Sequence, residues 1–224
     1  TVRLPAGFPD HPHRGVETVT YMLEGKFFHQ DFKGNKGTLN PGDLQWMTAG
    51  KGILHAEMPA SFDEDSIGFQ LWINLSSNNK LCDPEYQEIT KDKVPVVTKD
   101  EVTVKVIAGE SLGVKGPIHA RTPAIYLDVE MGPKTTFEQV IPKGWNGFGY
   151  IYKGQAYFGE NKQKVVTNGC AVLKKDDNEV LVVETQDEPA KFIIIAGQPM
   201  NEPVVSYGPF VLSNQEQLEK TFED

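Results

Sequence analysis

Glycine and proline recur every few residues along the whole chain, 21 and 15 of them in 224 residues. Between them fall short runs rich in Val, Ile, Thr and aromatic residues, and that spacing suits strands and turns rather than long helices. The reading is all-β. Candidate strands in the first half are 17–23, 26–30, 44–47, 53–58 and 68–75. In the second half they are 102–108, 124–130, 136–141, 148–152, 179–183 and 191–196. Glu24-Gly25 and Lys153-Gly154 read as hairpin turns, because glycine supplies the positive φ that such turns need. A terminal helix is expected after Ser213, which with Glu216 forms a Ser-x-x-Glu capping pattern ahead of Leu218 and Phe222.

The two expected turns also expose an internal repeat. YMLEGKFF at Tyr21–Phe28 matches YIYKGQAY at Tyr150–Tyr157, and PGDLQWM from Pro41 has a weaker echo in NGCAVLK from Asn168. Two related β units in tandem follow, divided as 1–98 and 99–224 with the helix in the second. The polar stretch Ser76–Asp100, which carries Pro84 and Pro95, reads as their connector.

Charge narrows the partners. The formal net charge is −9, from 31 acidic against 22 basic residues, and Arg3, Arg14 and Arg121 are the arginines, so no direct nucleic-acid binding is expected. Lysine pairs such as Lys162 with Lys164, or Lys174 with Lys175, read as solvated surface. No run approaches the roughly 18 apolar residues of a membrane span, and TVRLPAGFPDHPH has neither the basic start nor the apolar centre of a secretory signal. Cys82 and Cys170 lie far apart and fit thiols in a reducing compartment.

Four of the five histidines fall in the first 55 residues, in the triplets His11-Pro12-His13 and His55-Ala56-Glu57 and at His29. On an extended chain, residues two apart share a face, so each triplet aims two ligands one way. Facing each other across a barrel, the two segments converge three imidazoles and one carboxylate. Such a set, with no thiolate, suits Fe(II), Mn(II), Ni(II) or Cu(II), and zinc stays open. His29 reads as a hydrogen-bonded or solvated histidine and His119 as a loop residue. Trp46, Met47, Met58, Phe69 and Trp72 read as barrel core rather than as a substrate cage.

DHPHRGVETVTYMLEG (Asp10–Gly25) and NPGDLQWMTAGKGILHAEMP (Asn40–Pro59) resemble the two signature segments of the pirin family in the cupin superfamily. The likeness runs on through FQLWINL at Phe69, PKGWNGFGYIYKG at Pro142 and IAGQPMNEPVVSYGPFV at Ile195. It implies a bicupin, two tandem antiparallel β-sandwich barrels with a C-terminal helix. It implies iron, most simply Fe2+, in the first unit, held by His11, His13, His55 and Glu57. In many cupins a glutamate ligand falls where Glu17 stands; the pirin pattern uses Glu57 instead, which leaves Glu17 to orient an imidazole or to pair with Arg14. The repeat sets Val140 and Pro142 against His11 and His13, and puts the region near Val182 against His55, so the second unit is expected to be metal-free. Relative to the family the chain is expected to lack an N-terminal segment and the end of the helix.

The resemblance implies a quercetin 2,3-dioxygenase type of activity on a flavonol-like small molecule, with Glu57 as ligand and catalytic base. It implies as the alternative a redox-sensitive transcription co-regulator of nucleus and cytoplasm, whose partner is a transcription factor or a G-protein subunit. A sugar-binding or isomerase cupin using zinc or manganese is a third reading that the fold alone permits.

Overall fold

The computed structural model of the chain describes residues 1–173 and 180–224. Lys174, Lys175 and the first residue of the strand expected from Glu179 lie outside them. The chain forms two compact units, Thr1–Lys93 together with Met200–Asp224, and Val94–Pro199.

The first unit begins with β1 (Phe8–His13), β2 (Val16–Glu24), β3 (Phe27–Asp31), β4 (Lys36–Leu39), β5 (Leu44–Thr48), β6 (Ile53–Pro59), β7 (Ile67–Asn74) and β8 (Glu85–Ile89). Two four-stranded antiparallel sheets result, in the orders β1-β6-β3-β4 and β7-β2-β5-β8. β2 is buried on both faces from Val16 to Met22, and every residue of β5 is buried. Their β-branched and aromatic side chains fit such a pleated, enclosed position, and each large one contributes about 1.5–3 kcal/mol on full burial.

In the second unit lie β9 (Val96–Lys99), β10 (Val102–Ala108), β11 (Glu110–Ser111), β12 (Val114–Lys115), β13 (Ala124–Met131) and β14 (Thr136–Val140). They are followed by β15 (Asn146–Phe158), β16 (Gln163–Val166), β17 (Cys170–Leu173), β18 (Val180–Glu184) and β19 (Ala190–Gly197). The order β14-β18-β15-β16 repeats β1-β6-β3-β4, and β19 and β17 flank β15 as β7 and β5 flank β2. The internal repeat is thus a repeat of topology. The core of this unit is apolar, with Val104, Val106, Leu127, Val129, Phe137 and Phe192 at its centre.

The two glycine turns are not hairpins. β2 and β3 belong to different sheets, and Gly25 (φ +69°) turns the corner between them. β15 instead runs on unbroken through Lys153-Gly154, pairing with β19 before the corner and with β16 and β18 after it, with a bulge between Ile151 and Lys153. Gly154 (φ +80°) has no room for a side chain there, since a Cβ would sit 2.1 Å from the Pro189 carbonyl oxygen. A positive φ serves a hairpin and a sheet-switching corner alike, so the glycine does not distinguish them.

The expected connector Ser76–Asp100 contains β8, which pairs with β5, and β9, which pairs with β10. The boundary expected at 98/99 falls between Lys93 and Val94, and the terminal segment groups with the first unit rather than the second. That segment holds β20 (Val205–Tyr207), β21 (Phe210–Leu212) and α1 (Gln215–Thr221). It is tied back by Val211 N–H to the Arg14 carbonyl (3.0 Å) and by an Arg14–Asp224 ion pair (2.8 Å). The α1 cap is Asn214, whose side chain accepts from Gln217 N–H at 2.9 Å, one residue beyond the expected Ser213. Asparagine caps at least as well as serine.

Candidate metal centre

β1 lies at a sheet edge, where Pro9 and Pro12 are tolerated because the missing N–H faces away from the ladder. It pairs with β6 so that His11 stands opposite His55 and His13 opposite Ile53. Directly opposed residues on an antiparallel pair share a face, and His13 is two positions on from His11, so the three imidazoles meet. Their ring centroids are 4.4 Å (His11–His55), 4.9 Å (His11–His13) and 5.1 Å (His13–His55) apart. One donor nitrogen from each lies within 4.8 Å of the others. Among the described residues this is the one such cluster, and it is in the first unit.

The chemistry of these rings fits a metal. His13 and His55 are 1% and 2% exposed, and neither ring nitrogen of either has a hydrogen-bond partner among the described residues. Buried polar groups are normally paired, so two imidazoles left bare point to a missing ligand. Burial, reinforced by the neighbouring His11, pushes His13 down to about 4. Burial, with His11 and His13 beside it, pushes His55 down to about 3. Both rings are therefore neutral near pH 7 and present lone pairs, the form that ligates. Half-buried His11 completes the set: its Nδ1 lies 2.8 Å from the Pro9 carbonyl, and as the N–H donor there it leaves Nε2 as the ligating atom.

Glu57 is not one of the converging donors. It is 2% exposed on β6, two positions beyond His55, and its Oε1 accepts from Thr20 Oγ1 (2.9 Å) and its Oε2 from Gln70 Nε2 (2.7 Å). Thr20 and Gln70 are not legible as site residues from the motifs, although Thr18 and Thr20, two apart, put polar side chains on one face of β2. Glu17 is fully buried and accepts from Thr48 Oγ1 at 2.7 Å. His29 is hydrogen-bonded through Nδ1, 3.0 Å from Gln45 Nε2, and its Nε2 lies near the Glu88 carboxylate, 3.1 Å from Oε1.

Trp46 and Met47 are core residues, fully buried, whereas Trp72 is 43% exposed. The Trp72 ring stands edge-on to His13 at 4.7 Å, and its Nε1–H donates to Gln70 Oε1 at 3.1 Å. It forms a rim of the site rather than core, because β7 alternates half-buried and exposed residues along its length.

An acid sensitivity follows. An unfolded histidine protonates near pH 6.5, whereas folded His13 and His55 resist it down to about 4 and about 3. Between those limits the unfolded chain binds more protons, so the metal-free protein loses stability as pH falls, by up to about 1.4 kcal/mol per pH unit for each ring. Urea unfolding of the metal-free chain from pH 7 to pH 4 is expected to show this slope, and His55→Gln to make it shallower by up to one proton. Equal slopes would contradict the assignment of burial as the cause.

The architecture agrees with what known proteins show. A family model described as Pirin matches residues 1–73, and one described as Pirin C-terminal cupin domain matches residues 126–224. The protein named Pirin of Homo sapiens is 49% identical over 224 residues, covering 98% of this chain and 76% of its own length. A pirin-like protein of Solanum lycopersicum is 48% identical over 225 residues, covering 100% of this chain and 77% of its own length. The crystal structure of a quercetin 2,3-dioxygenase from Acinetobacter baumannii superposes with a TM-score of 0.89 at 32% identity, covering 97% of this chain and 77% of that one. Two cupin units, a triad of histidines confined to the first, and family matches at both ends of the sequence lead to one conclusion: the chain belongs to the pirin family.

Proposed function

We propose that the chain is an iron-dependent oxygenase acting on a flavonol of the quercetin type. The observation that carries this reading is the pair of buried, neutral imidazoles of His13 and His55 whose nitrogens lack partners among the described residues, beside an exposed aromatic rim. The similarity to the Acinetobacter baumannii quercetin 2,3-dioxygenase supports the substrate class.

His11, His13 and His55 would hold ferrous iron, which would supply a redox-active Lewis acid at this site. The protein's own residues do the rest. Trp72 offers part of its indole surface to a planar ring, and its bond to Gln70 fixes the orientation of that surface. Gln70 in turn holds Glu57, so a substrate resting on Trp72 meets a carboxylate already positioned. Glu57 is the group placed to accept the proton of the substrate hydroxyl, with Thr20 keeping one of its oxygens in register. Burial of His13, His55 and Glu57 excludes water from the proton transfer.

Oxygen uptake with quercetin tests the reading. Iron-loaded protein is expected to consume oxygen as quercetin is lost, and the metal-free protein to consume none. Equal consumption by the metal-free protein, or none by the loaded one, would overturn it.

A further inference from the structure

The second unit has a cleft of its own. It has a volume of about 960 Å³ and is lined entirely by residues between Gly109 and Trp145. It lies against the end of β14, the strand that the repeated topology sets in the place of β1. Aligning the two strand pairs at the last residues of β1 and β14 sets Val140 against His13, and sets Glu138 and Val182 against His11 and His55. The register thus stands two residues away from the match of Val140 and Pro142 to the two histidines. Glu138, Val140 and Pro142 all line the cleft. Where the first unit gathers imidazoles, the second keeps an opening in which, among the described residues, no three ligating side chains converge.

The walls say what fits. Leu112, Ile118, Ile125, Val140, Pro142 and Trp145 make them largely apolar. Within them Ser111 is 3% exposed, and its Oγ has no hydrogen-bond partner among the described residues. That hydroxyl has almost no accessible surface and is closed off from the cleft, so it offers a ligand nothing. Gln139, also 3% exposed, spends its Nε2 on the Glu110 and Val140 carbonyls at 3.0 and 2.9 Å, so what it can offer a ligand is its Oε1 acceptor. Charge lies with Glu110, Lys115 and Glu138, and Lys115 stands 3.9 Å from Glu110 in an exposed ion pair. The remaining charge is negative, which disfavours an anion, and a cation would lose its hydration against apolar walls.

We infer that this cleft is a second small-molecule site, for an uncharged, mainly apolar molecule whose single hydroxyl donates to Gln139 Oε1. Its size and lining are those of ordinary ligand pockets, which run from about 300 to 1,000 Å³. The site is independent of the metal centre, and its occupancy does not depend on the oxygenase reading.

The probe is 1-naphthol, planar and neutral with one hydroxyl, titrated by calorimetry into the full chain with and without iron. Saturable binding with a Kd of roughly 0.1 mM is expected, unchanged by iron. Val140→Trp, at a position 60% exposed that tolerates the larger side chain, fills the cleft and is expected to weaken binding at least about 10-fold. Gln139→Met is expected to weaken it by about 2- to 10-fold, the effect of one hydrogen bond. Circular dichroism checks that both variants fold. Absence of saturable binding up to about 1 mM, or binding by both variants equal to that of the unaltered chain, overturns the inference.

Discussion

Replacing His55 by alanine is expected to lower affinity for ferrous iron by at least about 100-fold. Even changes in groups that only support a ligand commonly cost about 10- to 100-fold, and His55 is itself one of three converging donors. It stands opposite His11 and its ring is within 5.1 Å of His13 by centroid, so no nearby imidazole can take its place without moving a strand. The variant is also expected to fold, because the ring it removes makes no hydrogen bond to the described residues. Competition with a chromogenic chelator reads the affinity, and a change below about 3-fold would contradict the placement of His55 at the metal.

Lys80→Met is expected to destabilise the protein by about 3–5 kcal/mol. Lys80 is 1% exposed, and its Nζ donates to the Gly15 carbonyl (2.8 Å), to the Val211 carbonyl (2.6 Å) and to Asn74 Oδ1. Burial pushes its ammonium down to about 8, with Glu202 working against the shift, so it remains charged at neutral pH and has three protons for three acceptors. Methionine keeps the stem and removes the donors, leaving those oxygens buried and unmet. The residue joins the start of β2, the end of β7 and β21, so its loss is expected to release the terminal segment first. Urea unfolding measures the effect, and a loss below about 1 kcal/mol would show that the three bonds are replaced by others.

The chemistry of the site was more legible than its surroundings. His11, His13 and His55 were readable because a period of two is a local property of an extended chain, and the structure brings all three together. The partners of Glu57 come from β2 and β7, 37 and 13 residues away in sequence, and no local pattern encodes such a pairing. The same reason hid the allegiance of Met200–Asp224, which rests on Arg14 and Lys80 rather than on anything within the segment. Gly25 and Gly154 read as hairpin turns because a glycine signals a positive φ and not which sheet the next strand joins. Trp72 looked like core by composition, yet it stands on a strand with one open face and borders the site.

Three imidazoles of the first unit are proposed to hold the metal. The most direct test is X-ray absorption on the chain reconstituted with ferrous iron, together with metal analysis of the variant carrying alanine at His11, His13, His55 and Glu57. One iron per chain with three imidazole nitrogens around it, and no retained metal in the variant, is the expected result. Sulfur in the coordination shell, or full metal content in the variant, would contradict the account.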